Sequence, residues 1–347
     1  MAVTDDTRRI SQTRKRELRD LSDAQIVAIA SAWVALWDDL EGEYDRAIQD
    51  LVAAYPDGAT AAQLAADDRI AQTMEITQRR VSDLVDEAAD RIALDMPEAA
   101  RIGAITPVEV LQSQLPPLIG MDVSFSEVSE GALAAIVART TSRITSETRP
   151  LSGAMTDAVR SQLTQGIAAG SNPREVARRV VADVEGAFNG GLARASTIAR
   201  TEMLDANRAA SQATAEENLD VIQAQIWVAT LDARTCMSCV SMHGEEFPPD
   251  AFGPEDHPNG RCTFIAKLKP WEELGIVGVD EPPDQLQDAQ AWFDNLTEDT
   301  QRAMLGPGKY DLWANGDMSW DDMSVKRDNS DWRAAYYERS LRDMPGG

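Results

Sequence analysis

All three cysteines and both histidines of this 347-residue chain fall between Cys236 and Cys262. Five such residues scattered at random would share so short a window on the order of once in 10⁴ sequences, so the grouping needs a physical cause. Cys236-Met-Ser-Cys239 is a C-x₂-C knuckle whose two thiolates can face one ion, and His257-Pro-Asn-Gly-Arg-Cys262 brings back an imidazole and a third thiolate after 17 intervening residues. The expected site is a tetrahedral zinc centre of Cys236, Cys239, His257 and Cys262. His243 competes with His257 for the fourth position, and His257 is preferred because His243, four residues past Cys239, reads as a loop histidine. Three thiolates and one imidazole leave no open coordination position. The zinc is therefore expected to be structural, closing residues 244–260, which hold four prolines and no regular pattern.

Two other readings of the cluster are weaker. Reduced cysteines packed together as small apolar groups would leave the histidines unexplained. A redox C-x₂-C belongs in a βαβ unit, and no such pattern surrounds this one. The odd number of cysteines also argues against a disulfide framework.

Outside this window the chain reads as mainly α. Aromatic residues are only 5% of the sequence and alanine is abundant, which favours packed helices. After a mixed-charge tail with Arg8, Arg9, Arg14, Lys15, Arg16 and Arg19, Ser22 and Gln25 form a capping box at the head of a long helix. Its apolar stripe is Ile26, Ile29, Trp33, Leu36, Trp37, Leu40, Tyr44, Ile48 and Leu51, and Tyr55-Pro56-Asp57-Gly58 ends it. A second stripe, Leu64, Ile70, Met74, Val81, Leu84, Val85, Ala88 and Ile92, completes a helical hairpin. Thr106-Pro107-Val108-Glu109 starts a short helix that Leu115-Pro116-Pro117 stops. Further helices are expected near residues 128–148, 152–169, 172–186 and 192–217, followed by a strand at residues 222–229. Residues from Trp271 onward are acidic yet hold five of the eight tryptophans, so they are expected to form a short ordered helical tail. The division is a helical N-terminal domain (1–118), a central helical domain ending in a small α+β zinc-knuckle module (119–270) and an aromatic-rich helical region (271–347).

Charge excludes one class of function. Lys plus Arg number 33 against 58 Asp plus Glu, a net charge of -25, so sequence-independent phosphate binding is disfavoured over most of the surface, and neither a general DNA-binding role nor direct sequence-specific nucleic-acid binding is expected. No apolar run approaches the roughly 18 residues of a membrane span. The first residues, Met1-Ala-Val-Thr-Asp-Asp6, lack the basic and apolar regions of a secretory signal, so use without export is expected.

One helix and the cluster together resemble a known family. Ala199-Arg200-Thr201-Glu202 with Asn207 and Ala210, the strand ending Trp227-Val-Ala-Thr230, then Asp232, Arg234, Cys236 and Cys239, and finally His257-Pro-Asn-Gly-Arg-Cys262 are similar in order and spacing to the phage Mu F-like minor head proteins, also called phage head morphogenesis proteins. Trp292-Phe293, residues 301–306, Tyr310, Gly316, Trp332 and residues 339–341 resemble the actinobacteriophage members. One departure stands out: where the family commonly shows His-Pro-Asn-Cys-Arg-Cys, this chain has Gly260. The resemblance implies a low-copy structural component of a tailed-phage head, associated with the portal vertex during procapsid assembly and DNA packaging. Its partners would be the portal protein and the major capsid or scaffolding protein, in the host cytoplasm during assembly and then in the virion.

Two enzymatic alternatives stand against this. A capsid maturation protease of the Ser-His-Asp kind would have to use His243, because both histidines sit in the cluster. A zinc-knuckle nuclease would need a general-base histidine and separate metal ligands outside the knuckle, and no histidine remains to supply them. Arg200, Thr201, Glu202 and Asn207 do not share one helix face, so hydrogen bonding from helix to strand or an Arg–Asp232 pair is the expected use of that segment.

Overall fold

Thr4, not Ser22, begins the first helix. In the computed structural model, which describes residues 3–55, 63, 67–116, 124–147, 197, 199–258, 260–328 and 334–344, α1 spans Asp5–Ala54. The Thr7 and Arg8 amides bond to the Thr4 side chain and carbonyl, and the cationic stretch expected as a tail is helical. It is laced by i,i+3 ion pairs, Asp5–Arg8 at 3.0 Å, Asp6–Arg9 at 2.8 Å and Arg14–Glu17 at 2.7 Å. Ser22 and Gln25 therefore lie mid-helix and are buried, with the Gln25 amide donating to Asp95 at 3.0 Å.

The second helix, α2 (Asp68–Ser113), also corrects an expectation, because Pro97 and Pro107 lie inside it and no separate helix starts at Thr106. An internal proline removes a hydrogen bond to the carbonyl four residues back. Side chains from another helix bond to other carbonyls of α2: Thr214 donates to Ala104 O at 3.0 Å and Asn207 to Ala99 O at 3.0 Å. Those donors belong to α4, residues 199–216. A Cβ at Gly103 would lie 2.1 Å from the Asn207 carbonyl oxygen, so only glycine lets the two backbones meet there. Helix α3 (Glu130–Glu147) agrees with the sequence reading. The turn at residues 56–58, the boundary at residues 117–120 and the helices expected at 152–169 and 172–186 lie outside the described residues.

The chain forms two compact units that interleave along the sequence. One comprises Leu21–Asp95 and Arg139–Arg200. In it α1 and α2 run antiparallel, since partners climb one helix as they descend the other: Gln25 with Asp95, Asp39 with Arg80, and Tyr44 with Thr77. Trp33, Trp37, Leu40, Tyr44, Ile48 and Leu51 are buried, matching the stripe read from the sequence.

The other unit comprises Met1–Asp20, Met96–Ala138 and Thr201–Gly347. At its centre is a three-stranded antiparallel sheet of order β2-β1-β3, built from β1 (Ile222–Val228), β2 (Glu246–Phe247) and β3 (Thr263–Leu268). Ile222, Ile226, Ile265 and Leu268 pack with Val110, Leu111 and Ala215 of α2 and α4. Trp227 points the opposite way, as strand alternation requires, and packs with Cys239, Cys262, Phe247, Phe264 and Tyr336. The outer edge of β3 is covered by one side chain: Gln114 donates to Ala266 O at 2.7 Å and accepts from Leu268 N at 3.1 Å.

Three short helices follow, α6 (Ala289–Asp294), α7 (Glu298–Leu305) and α8 (Pro307–Asn315), after a one-turn helix, α5 (Met237–Ser241), inside the cysteine cluster. Asp288 and Thr297 cap α6 and α7 through their side chains, and Gly316, left-handed at φ 77°, ends α8. The tail is not wholly helical, because β4 (Ser324–Arg327) and β5 (Ala335–Glu338) pair as an antiparallel hairpin. Phe293, Trp313 and Trp320 form a ring cluster with centroids 5.9 to 6.1 Å apart, and this aromatic core packs on Met237 and Val240 of α5. Among the described residues, no helix is long and apolar enough to cross a membrane.

Candidate metal centre

The knuckle is made by a strand end, a turn and one turn of helix. After β1, Asp232 accepts from the Arg234 amide at 2.8 Å and Thr235 donates to Thr230 O at 2.6 Å, which reverses the chain. Cys236 is then the N-cap of α5, its Sγ accepting from the Cys239 amide at 3.4 Å. Positions three apart lie on one helix face, so the local fold alone aims both thiols the same way. This strand-then-helix placement is also that of redox C-x₂-C motifs, but every strand pairing of the sheet here is antiparallel.

His257 meets the knuckle from the other side. Its Nε2 lies 3.0 Å from Cys236 Sγ and 3.6 Å from Cys239 Sγ, and the three ligand atoms all lie within 4.8 Å of one another. Ligands around a tetrahedral zinc with bonds of about 2.0 to 2.3 Å stand roughly 3.5 Å apart, so the donor set and its spacing fit such an ion. The opposite ring nitrogen, Nδ1, is 2.9 Å from Pro258 O, an acceptor that would hold the proton on Nδ1 and leave Nε2 to a bound ion. The Tyr337 ring of β5 flanks the imidazole with centroids 6.3 Å apart.

The electrostatics of the three groups are those of a shared-proton cluster. Hydrogen bonds from Cys239 and His257 pull the Cys236 thiol down to about 5, while Cys236 pushes the His257 imidazole up to about 9. Cys239 is driven strongly upward by Cys236 and then by Cys262, whose thiol adjoins it. Cys262 is thus buried beside Cys239, while the trio in mutual reach is Cys236, Cys239 and His257.

His243 is placed elsewhere. Its Nδ1 lies 3.1 Å from both the amide and the carbonyl of Ala229, and burial, helped by the charge of Lys15, lowers its pKa to about 4. Arg200 does not meet Asp232 as expected; it lies 3.8 Å from Asp23, and Asp232 pairs with Arg234 at 3.3 Å. Thr201, Glu202 and Asn207 are buried on α4.

Sequence reasoning missed the polar residues beneath the centre. Arg208 of α4 lies 2.7 Å from Asp256, and both are buried, at 4% and 0% side-chain exposure. The Arg208 guanidinium also donates to Gly260 O at 3.0 Å and Cys262 O at 3.2 Å, while Asp256 accepts from the Cys262 amide at 3.1 Å. Burial works against the charge on Arg208, but Asp256 and Asp205 hold its pKa above the usual value. Lys15 donates to Val228 O at 2.8 Å, and burial brings its ammonium down to about 8. The one local hint was that Asp256 immediately precedes His257.

The tail latches onto both halves of the centre. Glu338 accepts from the Met237 amide at 3.0 Å and pairs with Lys309 at 2.8 Å, Ser238 and Ser324 share a hydrogen bond of 2.7 Å, and the Tyr336 amide donates to Glu255 O at 2.8 Å.

These features define a long-helix protein carrying a small antiparallel module with a Cys/His centre. Residues 157–265 match the family model described as Phage Mu protein F like protein, a span that encloses every cysteine and histidine of the chain. Over that span, about a third of its length, the chain is similar to the Mu F-like family. No curated protein and no solved structure matches it.

Proposed function

We propose that this chain is a structural head morphogenesis protein, a minor capsid component of a tailed phage of the actinobacteriophage type, which joins the portal vertex during procapsid assembly and DNA packaging. The observation that carries the reading is the family match over residues 157–265. Its partners are the portal protein and the major capsid or scaffolding protein, and its places are the host cytoplasm during assembly and then the head interior or portal vertex of the virion. A net charge of -25 supports this setting, since a strongly acidic protein beside packaged DNA avoids non-specific adhesion to the duplex. The three-part division at residues 118 and 270 belongs to the same reading.

Within it, the Cys/His cluster holds a structural zinc through Cys236, Cys239, His257 and Cys262. The convergence of Cys236, Cys239 and His257 supports this, with the buried Cys262 thiol beside Cys239 as the fourth donor. A bound zinc would supply cross-linking between the knuckle and the loop at residues 256–262, and a full tetrahedron leaves no position for activating water.

Co-sedimentation tests the assembly role. The purified chain is expected to travel with portal rings or procapsids, and virions assembled without it to fall in number or infectivity. Absence of association together with normal virions would refute the role, and loss of capsid-protein cleavage in a folded His243→Ala variant would favour the protease instead.

A further inference from the structure

The two halves of the centre are held by different means. Cys236 and Cys239 are aimed by their own helical turn. His257 and Cys262 lie on a segment between β2 and β3 whose described residues form no helix or strand, only an isolated bridge from Asp256 to Tyr336. What the segment has is the Arg208–Asp256 pair. Asp256 immediately precedes His257 and Cys262 ends the segment, and the carboxylate of Asp256 accepts from the backbone amide of Cys262. The same guanidinium that holds Asp256 also takes the carbonyls of Gly260 and Cys262. Both backbone polar groups of Cys262 are therefore tied to one buried ion pair, and His257 is the residue next to its acidic member.

We propose that Arg208 and Asp256 are the positioning pair of the metal centre, fixing the His257 and Cys262 donors in register with the knuckle. This rests on the zinc reading above. Two charges withdrawn from water add little net stability compared with an apolar pair of the same volume, so stability alone is a poor reason for this pair. Geometry is a better one, because one nitrogen, Nη2, addresses the Asp256 carboxylate and both carbonyls while Nη1 is held by Asp205 at 3.3 Å, so the orientation of a single guanidinium sets several distances at once. Residues that orient metal ligands without touching the ion characteristically alter metal affinity when changed.

The test is zinc affinity of the full chain, measured by competition with a chromophoric chelator, together with the visible spectrum of the Co²⁺-loaded protein. Wild type is compared with Arg208→Met, Asp256→Asn, Arg208→Lys and, as a control remote from the centre, Tyr44→Phe. Arg208→Met and Asp256→Asn are expected to weaken zinc binding about 10- to 100-fold and to shift the Co²⁺ bands at temperatures where circular dichroism is native. Arg208→Lys, which keeps the charge but not the fork, should recover part of the loss, and Tyr44→Phe should leave affinity and spectrum unchanged. A purely structural role would lower the melting temperature and leave affinity and bands alone, so affinity within twofold of wild type in a folded variant overturns the proposal. If the Met and Asn variants do not fold, Arg208→Lys decides by the same criterion. A wild type that takes up neither Zn²⁺ nor Co²⁺ refutes the zinc reading itself, and the positioning role with it.

Discussion

A Cβ on residue 260 would sit 2.2 Å from Asp256 Oδ2, so Gly260 and the buried carboxylate occupy space that no larger residue could share. The Mu F-like pattern that this chain resembles commonly has a cysteine at that place. Here the room is taken by Asp256, which Arg208 holds at 2.7 Å. Gly260→Cys is therefore expected to displace the carboxylate rather than to add a useful thiol. The expected loss is about 1 to 3 kcal/mol in urea unfolding, the usual cost of overpacking a closed site. A variant as stable as wild type would contradict it.

Gly103→Ala probes the other close approach. Its methyl would meet the Asn207 carbonyl at 2.1 Å, backbone against backbone, with no flexible side chain to yield. A destabilisation of about 2 kcal/mol or more is expected from chemical denaturation. The helix propensity gained by alanine, at most about 1 kcal/mol, should not offset it.

Tyr44 and Thr77 share a buried hydrogen bond of 2.8 Å between α1 and α2. Tyr44→Phe should cost about 1 kcal/mol, and a double-mutant cycle with Thr77→Val should show coupling between the two positions. Additive effects would mean that the bond contributes nothing.

His243 gives a pH signature. Its folded pKa is about 4, below the ordinary 6.5, because burial and then Lys15 oppose its charge. The unfolded chain thus binds a proton between pH 6.5 and 4 that the folded chain refuses. The contribution to stability is complete above pH 6.5 and is lost as pH falls through that window, by about 3 kcal/mol at most. Denaturation midpoints of His243→Gln should fall less steeply than those of wild type from pH 6.5 to 4.5. Parallel curves would show that the imidazole is not held neutral.

Metal analysis by plasma mass spectrometry should find close to one zinc per wild-type chain. Cys239→Ser and His257→Ala should lose it and melt at a lower temperature, and chelation of wild type should reproduce the shift. A metal-free wild type would point back to thiol chemistry in the cluster.

What was legible in the sequence was whatever depends on near neighbours. The C-x₂-C knuckle, β1 and the stripe from Trp33 to Leu51 are patterns a few residues long, and each stands in the structure where it was read. Misreadings came where distant contacts decide. Ser22 and Gln25 have the form of a capping box, yet both are buried inside α1, where Gln25 takes its partner from Asp95, 70 residues away. Pro107 has the form of a helix start, yet α2 continues through it to Ser113. Arg208 and Asp256, 48 residues apart, have no local signature at all. The β4–β5 hairpin escaped notice because each of its strands has only four residues, too few for alternation to register.

The latch of β5 on the knuckle bears on the order in which a nascent chain can finish folding. Met237 is synthesised 101 residues before Glu338, the acceptor of its amide. Until β5 has left the ribosome, the Met237 amide lacks its acceptor, Lys309 lacks its carboxylate, and His257 lacks the ring beside it. A polypeptide cut short before β5 would carry every cysteine and histidine of the centre and still leave it half enclosed. Completion of the site thus reports that translation has passed Glu338, and copies truncated before it would leave the knuckle more exposed.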